Sequence, residues 1–238
     1  MNHYPLHTTM HRRTLLGGLA IFGSLTPSLV AAQNGLKSAG DDEETDDEMA
    51  AIGVTGEQSY ESPQFGYRLT WDRHWFVPED DPGTTSDTEE WDTLHIRWAE
   101  TPSPLGAVVQ LSFDGFRGVP QTTETWLAGM ADPDTLTGFF GSGGKEASVA
   151  LVAEEGNIQE VVWRLSAPDD PEDMISMVSA YRVLDEKGLM LMSTLAIIAP
   201  EELTDSVASL IDDVMLDDEP LIQLLSLEDI EAAFATLD

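Results

Sequence analysis

Two pairs of apolar runs, each pair split by a short turn, constrain the fold of this chain more than any other feature. Val149 to Glu154 and Ile158 to Leu165 flank Glu155-Gly156-Asn157, while Ile175 to Leu184 and Leu189 to Ile198 flank Asp185-Glu186-Lys187-Gly188. Runs of this length bounded by Gly, Asn and Asp read as strands, and so short a connection makes its two strands antiparallel neighbours. Two hairpins in series predict an antiparallel sheet.

Upstream, Tyr67, Leu69 and Trp71 alternate with Arg68 and Thr70, and Leu94, Ile96 and Trp98 alternate with Thr93, His95 and Arg97. Each is the period of a half-buried strand. Ala107, Val109, Leu111 and Phe113 predict a third, ending at Asp114-Gly115, and Glu79 to Glu90 reads as a polar loop. Thr122 or Thr123 can cap a helix through about Met130, with Glu124 in the first turn, where the macrodipole favours an acid. Pro200 opens a second helix, in which Leu203, Val207, Leu210, Ile211 and Val214 recur at helical spacing. Ser226 with Asp229 three residues on predicts a capping box for a last helix through about Leu237. The order predicts an α+β fold, with helices flanking a single curved antiparallel sheet.

Outside this region the chain changes character. Arg12 and Arg13 precede an apolar run, Leu15 to Leu25, and Val30-Ala31-Ala32 follows, as an export signal over 1–32 requires. The paired arginines make that signal twin-arginine-like, although His11 stands where Ser or Thr is usual. Residues 33–57 form an acidic linker with seven acids between Asp41 and Glu48, and nothing apolar there offers a face to pack, so disorder is expected. The folded domain is expected over 58–217, with a helical extension over 218–238. The expected location is extracytoplasmic, secreted or on the cell surface.

Charge removes several classes of function. With 11 basic and 44 acidic residues, a net −33, the surface repels phosphate backbones and anionic membranes, so nucleic acid is not an expected partner. The pattern suits a high-salt medium, where screening relieves the self-repulsion, and equally an acidic secreted protein. There is no cysteine, hence no disulfide, thiolate metal site or cysteine nucleophile.

Catalytic motifs are sparse. Past the leader only His74 and His95 remain, without metal-ligand spacing, and no metal or cofactor is expected. Phe140-Gly141-Ser142-Gly143-Gly144 lacks the spacing of a nucleophile elbow or a phosphate loop, and Phe139 to Lys145 reads as a mobile turn. Glu154, Glu155, Glu160 and the acids of 169–173 could supply paired carboxylates, but abundance singles none out.

Gly66-Tyr67-x-Leu69-x-Trp71-x-x-x-Trp75, preceded by Pro63, resembles the opening strand of PsbP-like domains, with Asp72 where that family usually has proline. The resemblance covers about 58–217 and implies an α-β-α sandwich around an antiparallel sheet. That superfamily includes extrinsic photosystem II subunits, a Ran-binding nuclear transport factor and exported bacterial proteins. It implies binding rather than catalysis.

The leading expectation is therefore a secreted, noncatalytic protein- or ligand-binding domain. A carbohydrate-acting hydrolase using paired carboxylates is the second reading, and a calcium-dependent surface module using 169–173 the third. Candidate binding residues are Trp75 and Trp91 beside the polar loop, the rare cations Arg68 and Arg73, and Leu221, Leu224 and Leu225, whose segment is too apolar to stay in water. That segment is expected to dock on the domain or on a protein partner.

Overall fold

The computed structural model describes residues 54–79, 82–86, 91–98, 109–117, 122–184, 189–198 and 202–237. The expected export signal, most of the acidic linker, the turn at 185–188 and Pro200 lie outside them. In chain order the strands before the first helix are β1 (Val54–Gly56), β2 (Ser59–Glu61), β3 (Arg68–Thr70), β4 (Trp75–Phe76), β5 (Gly83–Ser86), β6 (Trp91–Trp98) and β7 (Val109–Arg117). Helices α1 (Thr123–Met130) and α2 (Pro133–Phe140) follow, then β8 (Glu146–Glu155), β9 (Ile158–Ala167), β10 (Asp170–Leu184) and β11 (Leu189–Ile197). The chain ends with α3 (Leu203–Asp213), β12 (Met215–Leu216), β13 (Glu219–Pro220) and α4 (Leu227–Ala235).

The two hairpins form as their sequence requires. β8 pairs with β9 and β10 with β11, all antiparallel, inside an eight-stranded sheet of order β4-β6-β7-β11-β10-β9-β8, with β5 also on β6. β4 and β5 lie along one edge of β6: Trp75 pairs with Trp98 at one end and Ser86 with Trp91 at the other. β5 thus occupies part of the expected polar loop. Gly83 makes this possible, because its φ is 106° and a Cβ there would stand 2.0 Å from the Thr93 carbonyl oxygen.

A single sheet was expected, and there are two. β1, β2, β3, β12 and β13 form a smaller five-stranded sheet. Tyr67, Leu69 and Trp71 are buried as their alternation predicts, but only Arg68–Thr70 is strand, and it pairs with β2 and β12. The last residues of the expected linker belong to this sheet too, since Val54 pairs with Tyr60.

Strand period assigns the layers. Val162, Val178, Ala180, Leu111 and Phe113 face one core, shared with the small sheet, α3 and α4. Their sequence neighbours Val161, Trp163, Met177, Tyr181 and Phe116 face a second core under α1 and α2. The result is an α+β fold with helices on both faces of an antiparallel sheet. α1 begins at Thr122, whose side chain accepts from Thr125 N at 3.3 Å, and α2 at Asp132, which accepts from Thr135 N at 2.9 Å with Pro133 at the first helical position. α2 reaches Phe140 and a single 3-10 turn spans Ser142–Gly144, so the segment expected to be a mobile turn, 139–145, is largely helical.

The C-terminal segment is not an extension. Leu221, Ile222, Leu225, Ile230 and Phe234 belong to the first core. Polar groups on β9 and β10 anchor it: buried Glu160 accepts the backbone N–H groups of Gln223, Leu224 and Leu225 at 2.6 to 3.1 Å. Arg182 Nη2 donates to the carbonyls of Pro220 and Leu221 at 2.6 and 3.1 Å, and Arg164 Nη1 to that of Leu237 at 2.9 Å.

Candidate functional site

Helices α1 and α2 leave a chemical asymmetry on the face they share. Under them the sheet is aromatic and aliphatic: Trp126 meets Tyr181 and Phe116 edge-on at 5.7 and 5.9 Å, and Phe140 meets Trp163 at 5.2 Å. Toward β7 and β6 the same face turns polar. Thr93 and His95 on β6, Gln110, Ser112 and Asp114 on β7, and Thr194 on β11 all point to it, and all are buried. Registers place them on two adjoining rows, His95 opposite Ser112 opposite Thr194, and Thr93 opposite Asp114, with Gln110 opposite Arg97 beyond.

Most of these groups are paired within the row system. Thr93 Oγ1 donates to Asp114 Oδ1 at 2.6 Å and Arg97 Nε to Gln110 Oε1 at 3.1 Å. Trp163 Nε1 donates to Ser179 Oγ at 3.0 Å, and Ser179 and Thr194 share a hydroxyl hydrogen bond of 3.0 Å. Asp114 Oδ2 is buried with no partner. Burial pushes the Asp114 carboxyl up to about 6, against the Thr93 hydrogen bond and the His95 charge, which pull it down, while Asp92 pushes it further up. At the rim, Phe76 is 44 % exposed opposite Arg97, and half-buried Trp91 lies opposite Phe116.

The opposite face of β6 holds a different carboxylate. Asp92 Oδ2 accepts from Tyr60 Oη at 3.1 Å and from Ser62 Oγ, and Oδ1 accepts from Tyr67 Oη at 2.5 Å. The Gly115 backbone donates as well, and burial outweighs all these bonds in raising the Asp92 pKa. Burial and then the Asp92 charge raise the Tyr67 phenol. Gly115 leaves the necessary space, because a Cβ there would lie 2.7 Å from Asp92 Oδ1 and 2.8 Å from the Tyr67 ring. This carboxylate clasps the small sheet to the large one.

The residues singled out from sequence scatter. Trp75 was expected at an open strand edge; it is 1 % exposed, packs edge-on against Trp98 at 5.1 Å and donates Nε1–H to Ser209 Oγ at 3.0 Å. Leu221 and Leu225 are core residues and Leu224 is half-buried, so they offer no free docking surface. Arg68 and Arg73 are exposed, but neither is on the polar face. Trp91 alone borders it. His74 stacks on Trp98 at 5.3 Å, with Asp72 3.6 Å away.

In the proposed calcium segment, Asp173 is committed to an ion pair with Lys145. Among the described residues no group of three His, Cys, Asp or Glu side chains could hold a metal. Of the carboxylates named for a hydrolase, Glu160 is consumed by the C-terminal segment, and Glu154 and Glu155 are exposed at the end of the edge strand β8.

Sequence reasoning missed Asp92 and Asp114. Their signal was an ionisable residue inside an otherwise strand-forming run, and Phe116 after Asp114-Gly115 shows the strand continuing past the apparent stop.

No protein-family model and no curated protein matches the chain. Among solved structures it is similar to the solution structure of cyanobacterial PsbP (CyanoP) from Synechocystis sp. PCC 6803, with 16 % identity and a TM-score of 0.43 over 74 % of this chain and 94 % of that one.

Proposed function

We propose that this is an extracytoplasmic, noncatalytic binding domain whose ligand face is the helix-side surface of β6 and β7. The observation that carries the reading is the polar set Thr93, His95, Gln110, Ser112 and Asp114 on strands whose other face carries Leu94, Ile96, Trp98, Val109, Leu111 and Phe113. Apolar side chains would stabilise a two-sided core more, since each buried polar group forfeits hydration and must recover it through a partner. Departures from that rule in an otherwise consistent sheet concentrate at functional positions. Phe76, Arg97 and Trp91 give the face a rim with aromatic and cationic contacts of the kind that dominate recognition. The net charge of −33 turns polyanions away and leaves neutral, zwitterionic or cationic ligands and protein partners. The export signal expected over 1–32 is what supports the location.

The test is retention of molecules from the native extracellular fraction on immobilised intact protein, read by mass spectrometry, against the rim variants Arg97→Ala and Trp91→Ala. A species held by the wild type and lost from both variants, with their melting temperatures unchanged, supports the reading. Identical retention profiles for all three proteins would sink it.

A further inference from the structure

The eight-stranded sheet ends at β8, which runs ten residues and, among the described residues, pairs with β9 alone. Edge strands are usually kept short or covered, because a row of unpaired N–H and C=O groups invites another strand. The other edge strands here are short, with three residues in β1, two in β4, four in β5 and two in β13. Only the start of β8 is covered: the Ala147 N–H leaves the sheet and donates to Thr137 Oγ1 on α2 at 2.8 Å.

Register shows which groups beyond Ala147 face outward. Glu155 pairs with Ile158 across the two-residue loop Gly156-Asn157, so these two residues exchange both ladder hydrogen bonds. Counting back, Ala153 and Leu151 also bond to β9, opposite Glu160 and Val162, while Glu154 and Val152 turn their N–H and C=O groups away from it. The irregularity between Val149 and Leu151 inserts Ala150, and the alternation beyond it again turns the Ala147 N–H outward, where Thr137 meets it. The two ends of the strand therefore give the same assignment. On the open stretch Val152 is apolar yet 40 % exposed, and Glu154 and Glu155 are exposed beside it.

The charges select the occupant. β8 carries Glu146, Glu154 and Glu155 and no cation, so a second copy would bring Glu154 and Glu155 from each strand into one short ladder with nothing to offset them. The net charge of −33 opposes that pairing further. A basic strand meets the opposite situation, because each acid then gains a cross-strand partner and the outward backbone groups gain hydrogen bonds. We propose that the open half of β8, from Val149 to Glu155, takes an extended peptide segment as an added strand. That segment carries adjacent basic residues opposite Glu154 and Glu155 and a β-branched apolar residue opposite Val152.

The probe is the peptide acetyl-Arg-Lys-Thr-Val-Thr-Val-amide, whose antiparallel alignment sets Arg and Lys against Glu155 and Glu154 and the first Val against Val152. It is titrated into the intact protein while backbone amide resonances and their hydrogen exchange are followed. Saturable shifts confined to β8 and its neighbours are expected, with half-saturation of about 1 mM, as suits a short peptide that must be ordered on binding. Exchange should slow at Val152 and Glu154 and stay unchanged at Ala153, which already bonds to β9. Two control peptides separate strand addition from simple attraction to an anionic protein. One is N-methylated at Lys and the first Val, which removes the N–H donors but keeps the charge, and the other has Glu in place of Arg and Lys; neither should saturate. The double variant Glu154→Gln with Glu155→Gln should weaken binding about threefold to tenfold. Val152→Pro removes one outward donor while sparing the bonds to β9, and should abolish binding with the fold retained. Equal binding of the N-methylated peptide, or unchanged half-saturation in the Gln variant, would overturn the proposal, and neither outcome depends on the Pro variant folding. Self-association of the wild type through these same amides would overturn it too, by making a second copy the occupant. Arg97→Ala should leave peptide binding unchanged, since β6 lies at the far end of the sheet.

Discussion

Asp92 and Asp114 sit one rung apart on adjacent strands and serve opposite faces of one sheet: Asp92 pairs in register with Gly115, and Asp114 with Thr93. Asp92 is saturated by three hydroxyls and a backbone N–H, whereas Asp114 has one oxygen paired and one bare. The first is a structural clasp, and the second is a group the fold holds at a cost in stability. That division separates a carboxylate spent on holding two sheets together from one whose burial the chain's own hydrogen bonds only half offset.

The stability of the protein should therefore fall as pH rises from about 4 to about 6. Burial raises both carboxyls in the folded state, Asp114 to about 6 from 3.8. A raised acid binds its proton more tightly when folded, so its contribution is greatest below the unfolded pKa and is lost on passing through the folded one. A displacement of about two units corresponds to about 3 kcal/mol for Asp114. Asp114→Asn should flatten that slope and gain about 1 to 3 kcal/mol at pH 7.5, while keeping an acceptor for Thr93. Urea midpoints between pH 4 and 8 for the two proteins check this; a variant less stable than wild type at pH 7.5 contradicts it.

Removing the clasp has the reverse effect. Asp92→Ala leaves the Tyr60, Ser62 and Tyr67 hydroxyls and the Gly115 N–H without their acceptor, inside a core. The loss should be about 3 kcal/mol or more. Gly115→Ala should cost about 2 kcal/mol by pressing a methyl into Asp92 and Tyr67. Chemical denaturation measures both, and a loss below about 0.5 kcal/mol for Asp92→Ala would show that the small sheet holds without it.

Parts of this arrangement were legible in the chain. The hairpins 149–165 and 175–198 read directly, because Gly156-Asn157 and regular apolar runs make a local signal, and the α+β class follows from them. Thr93 and His95 did not read as a site. Alternation shows that two faces differ, but it does not say whether the polar face meets water or a second layer, and here it is buried. Trp75 misled because the turn at Asp72, whose carboxylate accepts from His74 N at 2.8 Å, looks like a strand end, whereas the chain re-enters the sheet directly after it. The docking of Leu221 to Leu225 depends on Glu160 and Arg182, more than thirty residues away, a separation no local pattern encodes.

Truncation before Leu221 should not leave a folded domain. The segment supplies Leu221, Ile222, Ile230 and Phe234 to the core, each buried, and each such side chain is worth about 1.5 to 3 kcal/mol. The sum, about 6 to 12 kcal/mol, is comparable with the whole margin of a typical domain. Glu160→Ala is the milder version, because it orphans three backbone N–H groups and should cost about 3 kcal/mol. Hydrogen exchange at Gln223 to Leu225 should then accelerate ahead of the rest of the chain. Unchanged protection there would show that apolar packing alone holds the segment.

The turn between β12 and β13 offers a test in the stabilising direction. Leu216 pairs with Glu219, so Asp217 and Asp218 form a two-residue hairpin loop, and both have positive φ, 52° and 67°. Such a loop favours glycine at its second position, where an L side chain crowds the backbone. Asp217 is engaged, accepting from Arg68 N at 2.8 Å through Oδ1 and donating its own N–H to the Arg68 carbonyl at 2.8 Å, so it must stay. Asp218→Gly relieves the strain without touching those bonds and removes one negative charge from a chain that carries 44 acids. A gain of about 0.5 to 1 kcal/mol is expected, larger at low salt than at high salt because only the charge component is screened. Thermal melts at two salt concentrations measure both parts; a destabilised variant would mean that the Asp218 side chain contributes more than its backbone strain removes.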